Sequence, residues 1–122
     1  MSAHRFALTA GMLLAAGCSI AQLDDAECPP NGTSLSYENF GEEFMARWCT
    51  RCHQPYAANR HGAPGEFNFD SLRGIRLHAD RIFARAALDN DSMPPGPDDP
   101  PLSQREDLAE WLACGAPSED ER

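Results

Sequence analysis

The sequence lacks lysine, so that every basic side chain other than histidine is an arginine. Acidic residues outnumber basic ones, 19 against 10, which gives a formal net charge of -9 at pH 7. A chain with this excess of negative charge is repelled by phosphates, which argues against nucleic acid and anionic membrane surfaces as partners. The absence of lysine itself leads to no functional conclusion.

A long apolar run is also missing. The apolar stretch at residues 6–16 has 11 residues, whereas crossing a bilayer as a helix takes about 20. A run of this length, preceded by one arginine, is typical of the core of an export signal. We therefore expect residues 1–17 to be a removable signal peptide.

Small residues stand directly before the first cysteine. The sequence Leu-Ala-Ala-Gly-Cys at 14–18 resembles the lipobox of bacterial lipoproteins, although the position that usually holds leucine is Ala15. This predicts lipidation of Cys18 and anchoring on the periplasmic side of a bacterial membrane. Ordinary cleavage after Ala21 is the alternative. Either way the mature chain is exported to a compartment where disulfides persist.

No stretch alternates as a β-strand and no internal repeat is present, so the sequence predicts an all-α fold of about three helices with long loops. We expect a helix over 37–48 capped by Ser36, a second over 71–88 capped by Asp70, and a third begun by a capping box of Ser103 and Glu106 and stopped at Gly115. The second helix has an apolar stripe along its length, with arginines that include Arg81 and Arg85 on much of the opposite side. The first and third helices should pack against each other. Residues 18–35 would form a tether, 36–117 the folded domain, and 118–122 a charged tail.

The strongest motif is Cys49-Thr50-Arg51-Cys52-His53, because C-x-x-C-H is the pattern of c-type haem attachment. Cysteines three residues apart lie on one side of a helical turn, so that both thiols reach one haem edge. The following histidine then projects over the iron. We expect one covalent haem c at Cys49 and Cys52, with His53 as an iron ligand.

Other interpretations of the motif lack their further requirements. A structural zinc site needs a second pair of ligands, and Cys28 and Cys114 are single. A thioredoxin-like redox pair needs a preceding strand, whereas this motif follows a predicted helix. A chance occurrence is less expected in a short exported chain.

From Ser36 to Pro117 the chain resembles a small class I cytochrome c, in which a helix runs into C-x-x-C-H and a later loop supplies a methionine. The resemblance implies that Met93, in Ser-Met-Pro-Pro, is the second iron ligand. It also implies that a proline carbonyl accepts a hydrogen bond from the proximal histidine, with Pro64 as the candidate and Pro55 as the alternative.

Met93 has independent support, because it lies beyond a full helix from His53 and stands in a loop stiffened by proline. A chain returning at that point reaches the opposite face of the haem. We expect Phe83 and Leu72 among the apolar side chains that line the haem slot. Met45, His61 and His78 remain alternative ligands, with His78 the leading one.

Two cysteines remain after haem and lipid are assigned. A disulfide between Cys28 and Cys114 would join the lead-in of the first helix to the end of the third. Two free thiols, or pairing with Cys18, are the alternatives.

The predicted function is one-electron transfer with His/Met ligation, by a monomer that docks transiently with redox partner proteins. An iron with six ligands has no vacant site, and no catalytic residue set is visible, so we do not expect an enzyme. A haem-based gas sensor with an open distal site and a disulfide-stapled structural lipoprotein without haem are the alternatives.

Overall fold

The computed structural model describes residue 17 and residues 19–122. The expected signal peptide and Cys18 therefore lie outside the described residues, apart from Gly17. The described chain is all-helical and contains no strand, which confirms the predicted fold class. Its α-helices are α1 (Glu42–Trp48), α2 (Leu72–Leu77), α3 (Ala79–Ala86) and α4 (Leu102–Ala113).

The first predicted helix is confirmed, with a π-helical start. Ser36 accepts a hydrogen bond from the amide of Asn39, and the Asn39 side chain accepts one from the amide of Ser36. This reciprocal cap starts the π-helical turn Tyr37–Gly41, which continues directly into α1. The C-x-x-C-H motif begins where α1 ends.

The predicted second helix is two helices, and its predicted bounds are wrong. Ser71, not Asp70, caps α2 by accepting a hydrogen bond from the amide of Gly74. The helix is interrupted at His78, whose ψ of 22° is not helical. Helix α3 follows and ends at Ala86. The spacing of apolar residues continues unchanged across this break, so the sequence pattern did not indicate that the helix is interrupted there.

The third helix begins one residue earlier than its predicted capping box. Pro101 is the N-cap of α4 and Leu102 its first residue, and no side chain caps this end. The expected box of Ser103 and Glu106 is therefore wrong. The predicted stop at Gly115 is confirmed, since its φ is +86° and glycine adopts that conformation readily.

The core lies between α1, α3 and α4. Phe44, Phe83, Leu108 and Trp111 are all at most 4% exposed. The Phe40 ring lies 5.3 Å from that of Phe44 and 5.9 Å from that of Trp111. This confirms the expected packing of the first predicted helix against the last.

The segments at both ends of the folded domain are fastened to it. The 3-10 turn Leu23–Asp25 contacts α3 and α4, and Cys28 forms a disulfide with Cys114. The predicted pairing of these two cysteines is confirmed. The expected charged tail forms a further 3-10 turn, Glu119–Glu121, held to α2 by an ion pair between Arg76 and Glu121.

No helix within the described part of the chain is long and apolar enough to cross a membrane.

Candidate functional site

A cleft of about 300 Å³ lies between the C-x-x-C-H motif, the loop that follows it, α3 and the proline-rich loop at 90–101. Cys49, Cys52, His53 and Met93 all border it. The structure thus brings together, at one cleft, the side chains predicted from two segments that lie 40 residues apart in sequence.

The motif is positioned by the end of α1. The amides of Cys52 and His53 both donate to the carbonyl of Cys49, at 3.2 and 3.0 Å. This tight turn after the helix directs both cysteines and the histidine to the cleft. This placement agrees with the expectation that both cysteines lie on one side of a helical turn, since a helix leads directly into the motif.

The two thiols are not bonded to each other. Burial raises the pKa of the Cys49 thiol to about 12, although the residue as a whole is partly exposed. A raised pKa is the opposite of what a thiol–disulfide exchange site requires. Within the described residues, no three histidine, cysteine or acidic side chains converge as ligands of one metal ion. Cys49 therefore lacks the surroundings of a reactive thiol, and the described residues offer no zinc-type cluster of ligands.

His53 is oriented by a backbone carbonyl. Its Nδ1 lies 3.0 Å from the carbonyl oxygen of Phe67, and its ring stacks on Phe69 with centroids 4.6 Å apart. Burial lowers the pKa of His53; the hydrogen bond to Phe67 opposes this, and the Arg60 charge adds to it. A neutral imidazole that donates from Nδ1 leaves the Nε2 lone pair for a metal.

The expected proline carbonyl is wrong. Phe67 takes the position for which Pro64 was the candidate and Pro55 the alternative. The Pro64 carbonyl instead accepts a hydrogen bond from Arg60 at 2.6 Å.

Arg60 holds the loop between the motif and α2. Its guanidinium donates to the carbonyls of Gln54, Ala63, Pro64 and Phe67 and to Oδ1 of Asn68. The bond to Phe67 is 3.2 Å long and ends on the same oxygen as that of His53. Sequence reasoning missed this residue, because bonds from a side chain to loop carbonyls have no periodic pattern.

Met93 lies at the cleft on a loop fixed to α3. Its amide donates to the carbonyl of Arg85 at 2.9 Å, and the residue is 41% exposed. Of the alternative ligands, His61 also borders the cleft, whereas Met45 and His78 do not. Met45 is buried in the core, and Nε2 of His78 lies 3.0 Å from the carbonyl of Glu66.

Most of the lining is apolar, and part of its predicted composition is wrong. Phe83 and Leu72 were expected to line the cleft, but Ile82 and Ala86 do so from α3. Phe83 points into the core, where it is fully buried. The remaining apolar lining includes Phe44, Trp48, Phe67, Phe69, Pro94, Pro95 and Pro100.

The charged lining is entirely basic. Arg60, Arg81 and Arg85 border the cleft, and no aspartate or glutamate of the described chain does. In a protein of net charge -9 this segregation favours an anionic occupant. The pattern of α3 had placed Arg81 and Arg85 opposite its apolar stripe, so their role at the cleft was missed.

No protein-family model matches the sequence, and comparisons with curated proteins and with solved structures found no match either.

Proposed function

We propose that this protein is a one-electron carrier with one c-type haem in the cleft, built on a cytochrome c-like arrangement of helices. Cys49 and Cys52 would hold the haem through thioethers, and His53 and Met93 would bind its iron. The observation that carries the proposal is that these four side chains border one apolar cleft.

The cleft fits haem in its chemistry as well as its ligands. Haem has a planar apolar body and two carboxylates, and the cleft has an apolar lining with only arginines as charged groups. Arg81 and Arg85, one helical turn apart on α3, are the groups that would bind the propionates. The thiols and the imidazole do not converge on a single point, as expected when they attach to different parts of one large group.

A bound haem would supply an iron centre that exchanges one electron between its ferric and ferrous forms. The protein's part is to present His53 as a neutral imidazole, fixed by the Phe67 carbonyl. Met93 offers a soft, neutral thioether, which favours ferrous iron. The apolar walls from Phe44, Ile82 and Ala86 exclude water and further disfavour the more highly charged ferric state.

The decisive experiment is to produce the protein together with a haem-attachment system and to record its absorbance. We expect a Soret band, colour that stays with the protein on acid–acetone extraction, and a mass increase of one haem. Cys49→Ala/Cys52→Ala is the matched control and should lose covalent colour. A colourless wild-type protein would overturn the proposal in favour of a structural lipoprotein without haem.

We propose further that Cys18 carries a lipid that anchors the protein on the periplasmic side of a bacterial membrane, where redox proteins dock with it transiently. Support comes from residues 14–18 of the sequence. Cys18→Ala should move the protein from the membrane fraction to the soluble fraction. An unchanged distribution would favour simple secretion.

A further inference from the structure

Resting on the proposed function, we infer that Arg60 is a positioning residue that raises the reduction potential by sharing the Phe67 carbonyl with His53. Nothing in the sequence motif assigns a role to Arg60. The inference is carried by two hydrogen bonds that end on one oxygen atom.

The Phe67 carbonyl oxygen accepts from two sides. His53 Nδ1 lies 3.0 Å from it and Arg60 Nη2 lies 3.2 Å from it. A carbonyl has two lone pairs and is able to satisfy both donors. Because one donor carries a full positive charge, the electron density available to the imidazole N–H is lower than with His53 alone.

Arg60 is also fixed in place. It donates to the backbone carbonyls of Ala63 and Pro64 at 3.2 and 2.6 Å as well as to that of Phe67, so the backbone of the loop itself anchors the guanidinium. Among the described residues, no carboxylate lies within ion-pair distance of it: the ion pairs there join Arg76 to Glu121 and Arg122 to Glu119. No carboxylate of the described chain therefore neutralises the charge that Arg60 places beside the cleft.

Both effects act on the iron in the same direction. A weaker hydrogen bond from Nδ1 leaves His53 with less imidazolate character, so the ligand donates less charge to ferric iron. An uncompensated positive charge beside the cleft also disfavours the ferric form. Arg60 thus shifts the equilibrium towards ferrous iron.

The test compares holoprotein of the wild type, Arg60→Gln, Arg60→Lys and Asn68→Ala by redox titration and by proton NMR of the ferrous form. In Arg60→Gln we expect the ferric-to-ferrous ratio at a fixed solution potential to rise about tenfold, a fall of about 59 mV for one electron. The His53 Nδ1–H resonance should move downfield, since the carbonyl then accepts mainly from the imidazole. Arg60→Lys, which keeps the charge, should shift the ratio less.

Asn68→Ala is the control for a merely structural role. It removes the Asn68 bonds to Arg60 and to the Gly65 carbonyl but leaves the bond from Arg60 to Phe67, so its potential should stay near that of the wild type. A loop that simply loosened in Arg60→Gln would broaden or lose the Nδ1–H resonance instead of moving it downfield, and this would overturn the inference.

The two proposals fail separately. A wild type without covalent haem overturns the proposed function and this inference with it. A wild type with haem, together with an unchanged potential in Arg60→Gln, overturns the role of Arg60 alone. If Arg60→Gln does not accumulate as holoprotein, Arg60→Lys replaces it. A lysine keeps the charge but lacks the planar fork that reaches Phe67, so the Nδ1–H resonance should still move downfield, and an unmoved resonance would contradict the inference.

Discussion

Gly41 lies directly against the indole of Trp111: a Cβ atom at Gly41 would come within 2.5 Å of Cζ2 of that ring. Trp111 is fully buried and its Nε1 donates to the Pro117 carbonyl, so the ring has no room to retreat. We expect Gly41→Ala to lower the free energy of unfolding by about 2 kcal/mol, measured by urea denaturation.

Gly65 provides the matched control for that substitution. An added Cβ there meets nothing within 4 Å, so Gly65→Ala should leave the free energy of unfolding unchanged or raise it by up to about 1 kcal/mol. Equal losses in both variants would show that the π-helical turn Tyr37–Gly41 and α4 do not pack as closely as described.

Met93 decides between the carrier and the gas sensor. In Met93→Ala the haem should stay attached through Cys49 and Cys52, while the potential falls by on the order of 0.1 V and carbon monoxide binds the reduced form. Met93→His should lower the potential yet keep the site closed. Ready binding of carbon monoxide by the wild type would favour the sensor.

The arginines of α3 should tune the potential through charge. Replacing Arg81 or Arg85 by glutamine removes a cation that borders the cleft. A Coulomb term of about 1 kcal/mol would raise the ferric-to-ferrous ratio roughly fivefold. Arg73→Gln, an identical charge change at an exposed position of α2 away from the cleft, should shift it less. Equal shifts would mean that only the net charge matters.

The C-terminal turn gives a prediction on pH. The pKa of Glu121 is lowered from 4.5 to about 2. The largest cause is the hydrogen bond from Arg76, and the hydrogen bonds from Ser118 add to it. A folded-state pKa below the unfolded one contributes stability above pH 4.5 that is lost as the pH falls towards 2. Glu121→Gln should therefore lose less stability than the wild type between pH 4.5 and 2 in acid titrations followed by circular dichroism. Parallel curves would contradict the role of the Arg76–Glu121 contact.

Much of the fold was predictable, because apolar spacing and caps are local. The helix over 37–48 and the stop at Gly115 follow from such signals and are confirmed. The break at His78 was not predictable, since the apolar stripe runs on through it. The N-cap at Pro101 was missed because Ser103 and Glu106 offered a better local pattern than the one the chain uses.

The side chains of the candidate site could be predicted from the sequence, whereas its backbone hydrogen-bond acceptor could not. Cys49, Cys52, His53 and Met93 were all identified from residue type and spacing, and they share the cleft. The acceptor for His53 is the carbonyl of Phe67, and every residue of the loop offers such an oxygen. Only the path of the loop decides which one is used.

The Cys28–Cys114 bond joins positions 86 residues apart and turns the domain into a covalent ring. A pulling force applied between the chain before Cys28 and the chain after Cys114 would be carried by the disulfide. The helices and the cleft would therefore bear no load. A protease that cut the loop at 90–101 would leave both fragments joined, so the nick would become visible only after reduction. The side chains at the cleft would then belong to two different fragments. The disulfide that holds these fragments together involves none of those side chains.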